Sequence, residues 1–292
     1  VPESRDEFPS GYTPPAAFGL ADLSAMETTA GAVGRLIEHR LTAWVLGIEE
    51  ETMTRTDLQN LTGKGVRIAV LDSGIDTTHP ALDDLKLADD VAFERDGPFL
   101  KAVETSGDLI GHGTAIAWII RSMAPDAEIG SFRVLDADLR GRTTIIWEAA
   151  RLAVQRGYHI LNCSFGSPGE ARFVMPYKEW TDEAYLRRAH IVAACSNEDA
   201  NQREWPGWFP TVLTVNLADM PPEVWSHRPG SMVEFLAHGL NVKVPWQGGW
   251  KVVTGSSFAA PRITAWLARL LEARPGMSVE TAKEMMRGMA EG

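Results

Sequence analysis

The chain has 292 residues, 45% of them apolar and 23% charged, enough for one large domain with a full core and a short extension. A formal net charge of −11 argues against nucleic acid or an anionic membrane as partner and mildly favours basic peptides. No apolar run is long enough to span a bilayer.

Val1-Pro2-Glu3-Ser4-Arg5-Asp6 lacks a basic stretch followed by an apolar core, so no signal peptide is expected in it. Residues 1–17 hold four prolines among polar and aromatic neighbours and read as an extended arm. From Leu20 to Val45, apolar residues recur at helical spacing, which predicts one or two amphipathic helices. Residues 1–60 are therefore expected to form an N-terminal extension to a main domain over 61–292. Cys163 and Cys195 make no disulfide framework and read as buried free thiols, a lean towards a reducing, cytoplasmic setting.

After Gly63-Lys64-Gly65, the near-continuous apolar run Val66–Leu71 predicts a strand buried on both faces. It ends at Asp72-Ser73-Gly74-Ile75-Asp76, placing Asp72 at a strand's carboxyl end. Residues 83–108 are acidic and expected to be loop. Gly111-His112-Gly113-Thr114 then opens an apolar helix to about Met123. Further strands are expected at 127–134, 160–164 and 191–194, and helices at 143–156 and around 178–189. The strand-like Trp250–Val253 stops at Gly255, and Ser257 opens an alanine-rich helix to about Arg274 with Pro261 in its first turn. This alternation predicts an α/β fold of three layers, a central, mostly parallel sheet with helices on both faces.

Alone, Ser257 reads as a helix cap, His112 as structural and Asp72 as a turn residue. Together they supply a nucleophile beside free helix N–H groups, a base, and a carboxylate to orient that base. An α/β-hydrolase elbow fails, because Ala259 stands where the second glycine belongs; around Ser164, Gly166 is present but Asn162 replaces the first glycine. Asp72, Asp76 and His79 lack a His-x-x-x-His or comparable ligand set, so neither metal nor cofactor is expected.

The order Asp72, His112, Ser257 and the flanking Val70–Ile75, Gly111–Thr114 and Gly255–Pro261 together resemble the signatures of the subtilisin-like serine proteases, the subtilases. The resemblance begins near Gly63 and includes Thr78-His79-Pro80, Ala124-Pro125 and Asn162–Gly166. It implies a subtilisin-like peptidase domain over 61–292 acting on peptide or protein substrates. Ser257 would be the nucleophile, His112 the general base, and Asp72 its orienting partner. The Ser257 N–H and Asn197, which ends a strand resembling the family's oxyanion strand, would bind the oxyanion.

The same resemblance implies that an extended substrate lies between Leu139-Arg140-Gly141-Arg142 and Ser164-Phe165-Gly166. Ala194 and Ser196 would border the primary pocket, and Glu204, just before Trp205-Pro206, would lie at its bottom and favour Arg or Lys before the scissile bond. The competing placement turns Glu204 to solvent and leaves Glu198 or Asp199 to supply the charge. Ser196 replaces a glycine and would narrow the pocket, while Ala115 replaces a second histidine. Ala81 stands where calcium-binding relatives carry a ligand aspartate, so no calcium is expected there. The alternatives to hydrolysis are a peptide transamidase or macrocyclase on the same residues and a non-catalytic peptide-binding module. Oligomeric state is left open.

Overall fold

The computed structural model describes residues 53–97, 99–105 and 107–291. Contacts divide the chain into two units, Val1–Met53 and Thr54–Gly292. The arm expected over 1–17 and the amphipathic helices expected up to Val45 lie outside the described residues.

In the second unit a short helix α1 (Arg55–Leu58) leads into β1 (Arg67–Asp72) and the two-residue β2 (Gly74–Ile75). Next come β3 (Asp90–Asp96), β4 (Phe99–Glu104), β5 (Gly107–Asp108), helix α2 (His112–Met123) and β6 (Glu128–Arg133). Helix α3 (Thr143–Gln155), β7 (Ile160–Cys163), β8 (Ser167–Pro168), helix α4 (Val174–Leu186), β9 (His190–Ala194), β10 (Glu204–Trp205) and β11 (Val212–Ala218) follow. The chain closes with β12 (Trp225–His227), β13 (Phe235–His238), β14 (Val242–Trp246), β15 (Gly249–Val253), and helices α5 (Ser256–Ala273) and α6 (Val279–Gly288).

Nine strands form one sheet in the order β12-β13-β11-β9-β7-β1-β6-β3-β4. Every neighbouring pair from β13 to β3 is parallel, and only the two edge pairs are antiparallel. Central strands of such a sheet are covered on both faces, which explains why five of the six residues of β1 are buried. Helices α3 and α4 cover one face over Ala69, Leu71, Phe132, Leu161 and Ala193. Helices α2 and α5 cover the other. The α/β architecture with helices on both faces is the expected one.

Two local expectations are corrected. Within the stretch expected to be loop, Asp90–Asp96 and Phe99–Glu104 pair as the antiparallel strands β3 and β4. At the sheet's edge only Val91 and Ala92 of β3 are buried, so no apolar alternation marks it in the sequence. The strand expected at Trp250–Val253 is present within β15, which among the described residues pairs with β14, outside the main sheet. Pro261 sits beyond the first turn of α5, which already begins at Ser256.

Candidate active site

The sheet collects the chemistry at the carboxyl ends of adjacent strands, the usual position of sites in open α/β sheets. β1 ends in Asp72, β7 runs into Ser164, and β9 runs into Cys195-Ser196-Asn197. Two helices begin there: His112 is the first residue of α2, and Ser257 the second of α5.

His112 Nδ1 lies 2.7 Å from Asp72 Oδ1, with both residues buried. A carboxylate fixes Nδ1 as the donor and leaves Nε2 as the acceptor nitrogen. The Ser73 N–H donates to the same Asp72 oxygen at 2.7 Å, and the Ser73 hydroxyl donates to Asp108 Oδ1 at 2.7 Å. Asp108 also accepts from the Thr114 N–H and hydroxyl, pinning the first turn of α2 beside β1. Gly113 permits that approach, since a Cβ there would collide with the Gly74 carbonyl. Burial disfavours the His112 imidazolium, but the charge and hydrogen bond of Asp72, with the charge of Asp108, outweigh it and raise the pKa above the ordinary imidazole value. Phe258 and Trp246 shield the ring, with centroids 5.3 and 6.3 Å away.

Ser257 is half-buried, and its hydroxyl donates to the Ser164 carbonyl at 3.2 Å. Among the described residues it makes no hydrogen bond to His112, so a side-chain rotation separates this arrangement from a reactive one. Its N–H belongs to the first helical turn, where no intrahelical acceptor exists. Asn197 Oδ1 accepts the Ser256 N–H at 2.7 Å, which assigns the other end of the amide, Nδ2, as the outward donor.

Beside Ser257 opens a cavity of about 360 Å³. Ser164, Phe165 and Gly166 line one side, and Ala194, Cys195, Ser196 and Asn197 another. Glu204, Glu198 and Gln202 complete it. Pairing of β10 with β8 directs Glu204 inward, and a Cβ at Gly166 would collide with its carboxylate. Burial, and then the charge of Glu198, raise the Glu204 pKa. Neither carboxylate has an ion-pair partner among the described residues.

The structure thus brings Glu204 to the cavity wall, not to solvent. Asp199 is absent from that wall. The Ser196 hydroxyl accepts from the Glu198 and Asp199 N–H groups at 3.3 and 3.4 Å, capping the turn that follows β9. Leu139 and Gly141 do not line the cavity; they sit in the exposed turn after β6, where Gly141 bridges to Leu135. Ala81 lies in a short 3₁₀ turn, Pro80–Leu82, and offers no side-chain oxygen. Cys163 and Cys195 are both buried and free.

Sequence reasoning missed Asp108, Trp246, Phe258 and the partners of Ser164. Asp108 lies four residues before His112 in a stretch read as loop, and nothing local distinguishes its carboxylate from its acidic neighbours.

Comparison with known proteins identifies the family. The profile of the Subtilase family matches residues 63–291. Subtilisin BL of Lederbergia lenta is 29% identical over 231 residues, covering 75% of this chain and 81% of that protein. The M-protease of Shouchella clausii is 28% identical over 245 residues, covering 80% of this chain but 61% of that longer protein. Among solved structures, a cold-adapted subtilisin-like serine proteinase superposes with a TM-score of 0.63 at 22% identity, covering 78% of this chain and 83% of the other. The S41 psychrophilic protease gives 0.65 at 24% identity with the same coverage. These two show the shared fold, and the family profile, which spans residues 63–291, places the chain in the Subtilase family, as a subtilisin-like serine protease.

Proposed function

We propose that the chain is an endopeptidase that hydrolyses peptide bonds after Arg or Lys, with Ser257, His112 and Asp72 as its catalytic triad. Ser257 turns from the Ser164 carbonyl towards His112 Nε2 and attacks the scissile carbonyl carbon. The Oγ–carbon bond forms as the hydroxyl proton passes to Nε2, and the carbonyl electron pair moves onto oxygen. Asp72, held on Nδ1, stabilises the imidazolium that results. The Ser257 N–H and Asn197 Nδ2 donate to the oxyanion. His112 returns its proton to the leaving amine, and water, activated by the same imidazole, releases the acyl group.

The observation that carries this reading is the cavity shared by Ser257 and Glu204. A carboxylate without a cation partner at the wall of a half-closed pocket provides a charge-assisted site for a guanidinium or ammonium group. Leu139 and Gly141 would then form the outer edge on which an extended substrate pairs, opposite Ser164–Gly166. Matched peptides with Arg, Lys or Leu before the scissile bond test the assignment. The reading expects kcat/KM to favour Arg and Lys, and Glu204→Gln to lose most of that preference while cleaving the Leu peptide as before. Equal cleavage of all three peptides by the parent enzyme would refute it. Product masses test hydrolysis itself: a gain of water marks cleavage, whereas cyclic or joined products would mark transamidation.

A further inference from the structure

Pro261 leaves a gap in the hydrogen bonding of α5. A residue at that position ordinarily donates its N–H to the carbonyl four residues back, which is that of Ser257, and proline has no such donor. The replacement comes from the end of β7, where Ser164 Oγ donates to the Ser257 carbonyl oxygen at 3.2 Å. Behind Ser164 stands a buried chain of two more bonds. Asn162 Nδ2 donates to Ser164 Oγ at 2.9 Å, and Thr264 Oγ1 donates to Asn162 Oδ1 at 2.8 Å. Thr264 and Asn162 are both 0% exposed, so water does not substitute for either partner.

The direction of this chain decides what Ser164 can do. Its hydroxyl has one hydrogen. With the NH₂ end of Asn162 facing it, the hydroxyl accepts there and gives its hydrogen to Ser257. With the amide reversed, Asn162 Oδ1 would compete for that hydrogen, and the Ser257 carbonyl would lose the donor that Pro261 already denies it. The hydrogen that Thr264 presents to Oδ1 stabilises the working orientation. Ser164 also accepts the Ser257 hydroxyl on its own carbonyl, so a displaced Ser164 disturbs both ends of the nucleophilic residue.

We propose that Thr264 is a positioning residue for Ser257, acting through Asn162 and Ser164 on the backbone of the candidate nucleophile. The proposal rests on the reading of Ser257 as nucleophile. Thr264 touches neither substrate nor reacting atom, so its removal is expected to act on the reactive step more than on the binding of peptide.

The test compares the parent protein with Thr264→Val, Thr264→Ser and Ser164→Ala, alone and with T264V combined with S164A. The readouts are steady-state peptide cleavage and the rate of Ser257 labelling by a fluorophosphonate. Thr264→Val is expected to lower kcat and the labelling rate about tenfold, the scale of a small misplacement of a reacting group, with KM held within about twofold. Thr264→Ser restores both rates, and adding S164A to T264V brings little further loss, because the two act in one chain. Parent-like rates in T264V, failure of T264S to restore them, or losses that multiply in the double variant would each overturn the proposal. Should T264V not fold, Thr264→Cys against Thr264→Ser compares a weak with a strong donor of similar size, and equal rates overturn it. A parent protein that never labels at Ser257 overturns the underlying reading; a labelled parent beside an unaffected T264V overturns the positioning role alone.

Discussion

At His112, two carboxylates act against burial: Asp72 by contact, and Asp108 by charge at longer range. The general base must be neutral, so a raised pKa moves the rising limb of kcat/KM to a pH above the ordinary imidazole value of about 6.5. Asp108→Asn removes one of the two raising charges, and the midpoint of that limb should fall; an unchanged or higher midpoint would contradict the assignment. Glu204 has the opposite charge type, and its raised pKa means that it gains a proton at a higher pH than a free glutamate. The ratio of kcat/KM for an Arg peptide to that for a Leu peptide cancels the His112 titration. That ratio should be highest where Glu204 is ionised and decline as pH falls, with a midpoint above the usual glutamate range of about 4.3. A flat ratio would point away from Glu204. Asp72, His112 and Ser257 stand in short motifs whose order and spacing point to one site, whereas Glu204 was readable only through the family resemblance, with a solvent-facing placement left open beside it. The Thr264–Asn162 bond was not legible, since it joins positions 102 residues apart that only the folded sheet brings together.

Elements were legible where burial imposes a pattern. β1, β7 and β9 are covered on both faces and read as apolar runs, while β3 and β4 lie at an edge with little buried and read as loop. Helix α6 was not read from the sequence either, and its docking depends on charge as well as apolar contact. Its buried Lys283 donates to the Pro210 and Val212 carbonyls at 2.6 and 2.8 Å and pairs with buried Glu234 at 2.5 Å. Arg287 binds the same glutamate. Lys283→Ala strips two carbonyls of their donor and leaves Glu234 with Arg287 alone. It should destabilise the domain by about 3 kcal/mol, the low end of the cost of breaking a buried pair. Chemical denaturation measures this, and a loss below about 0.5 kcal/mol would show that the cluster relaxes at little cost.

For the molecule as a whole, the parallel sheet gathers Asp72, Ser164 and Asn197, and two helix starts deliver His112 and Ser257 to the same end. Under the proposed reading, the net charge of −11 and two carboxylates at the cavity wall would both suit a basic peptide. Stability is expected to be independent of calcium at the position where calcium-binding relatives place a ligand aspartate. Ala81 supplies no ligand oxygen from its side chain, and α2 runs unbroken from His112 to Met123 without an inserted ligand loop. A melting temperature unchanged by a calcium chelator agrees with this, and a large drop would contradict it. Digestion of a diverse peptide pool by the parent protein and by Ser257→Ala, with the products read by mass spectrometry, tests the triad and the Arg/Lys preference together. Cuts after Arg and Lys that vanish in the variant are expected. Cuts that persist without Ser257, or that cluster after Leu or Phe, would contradict this reading.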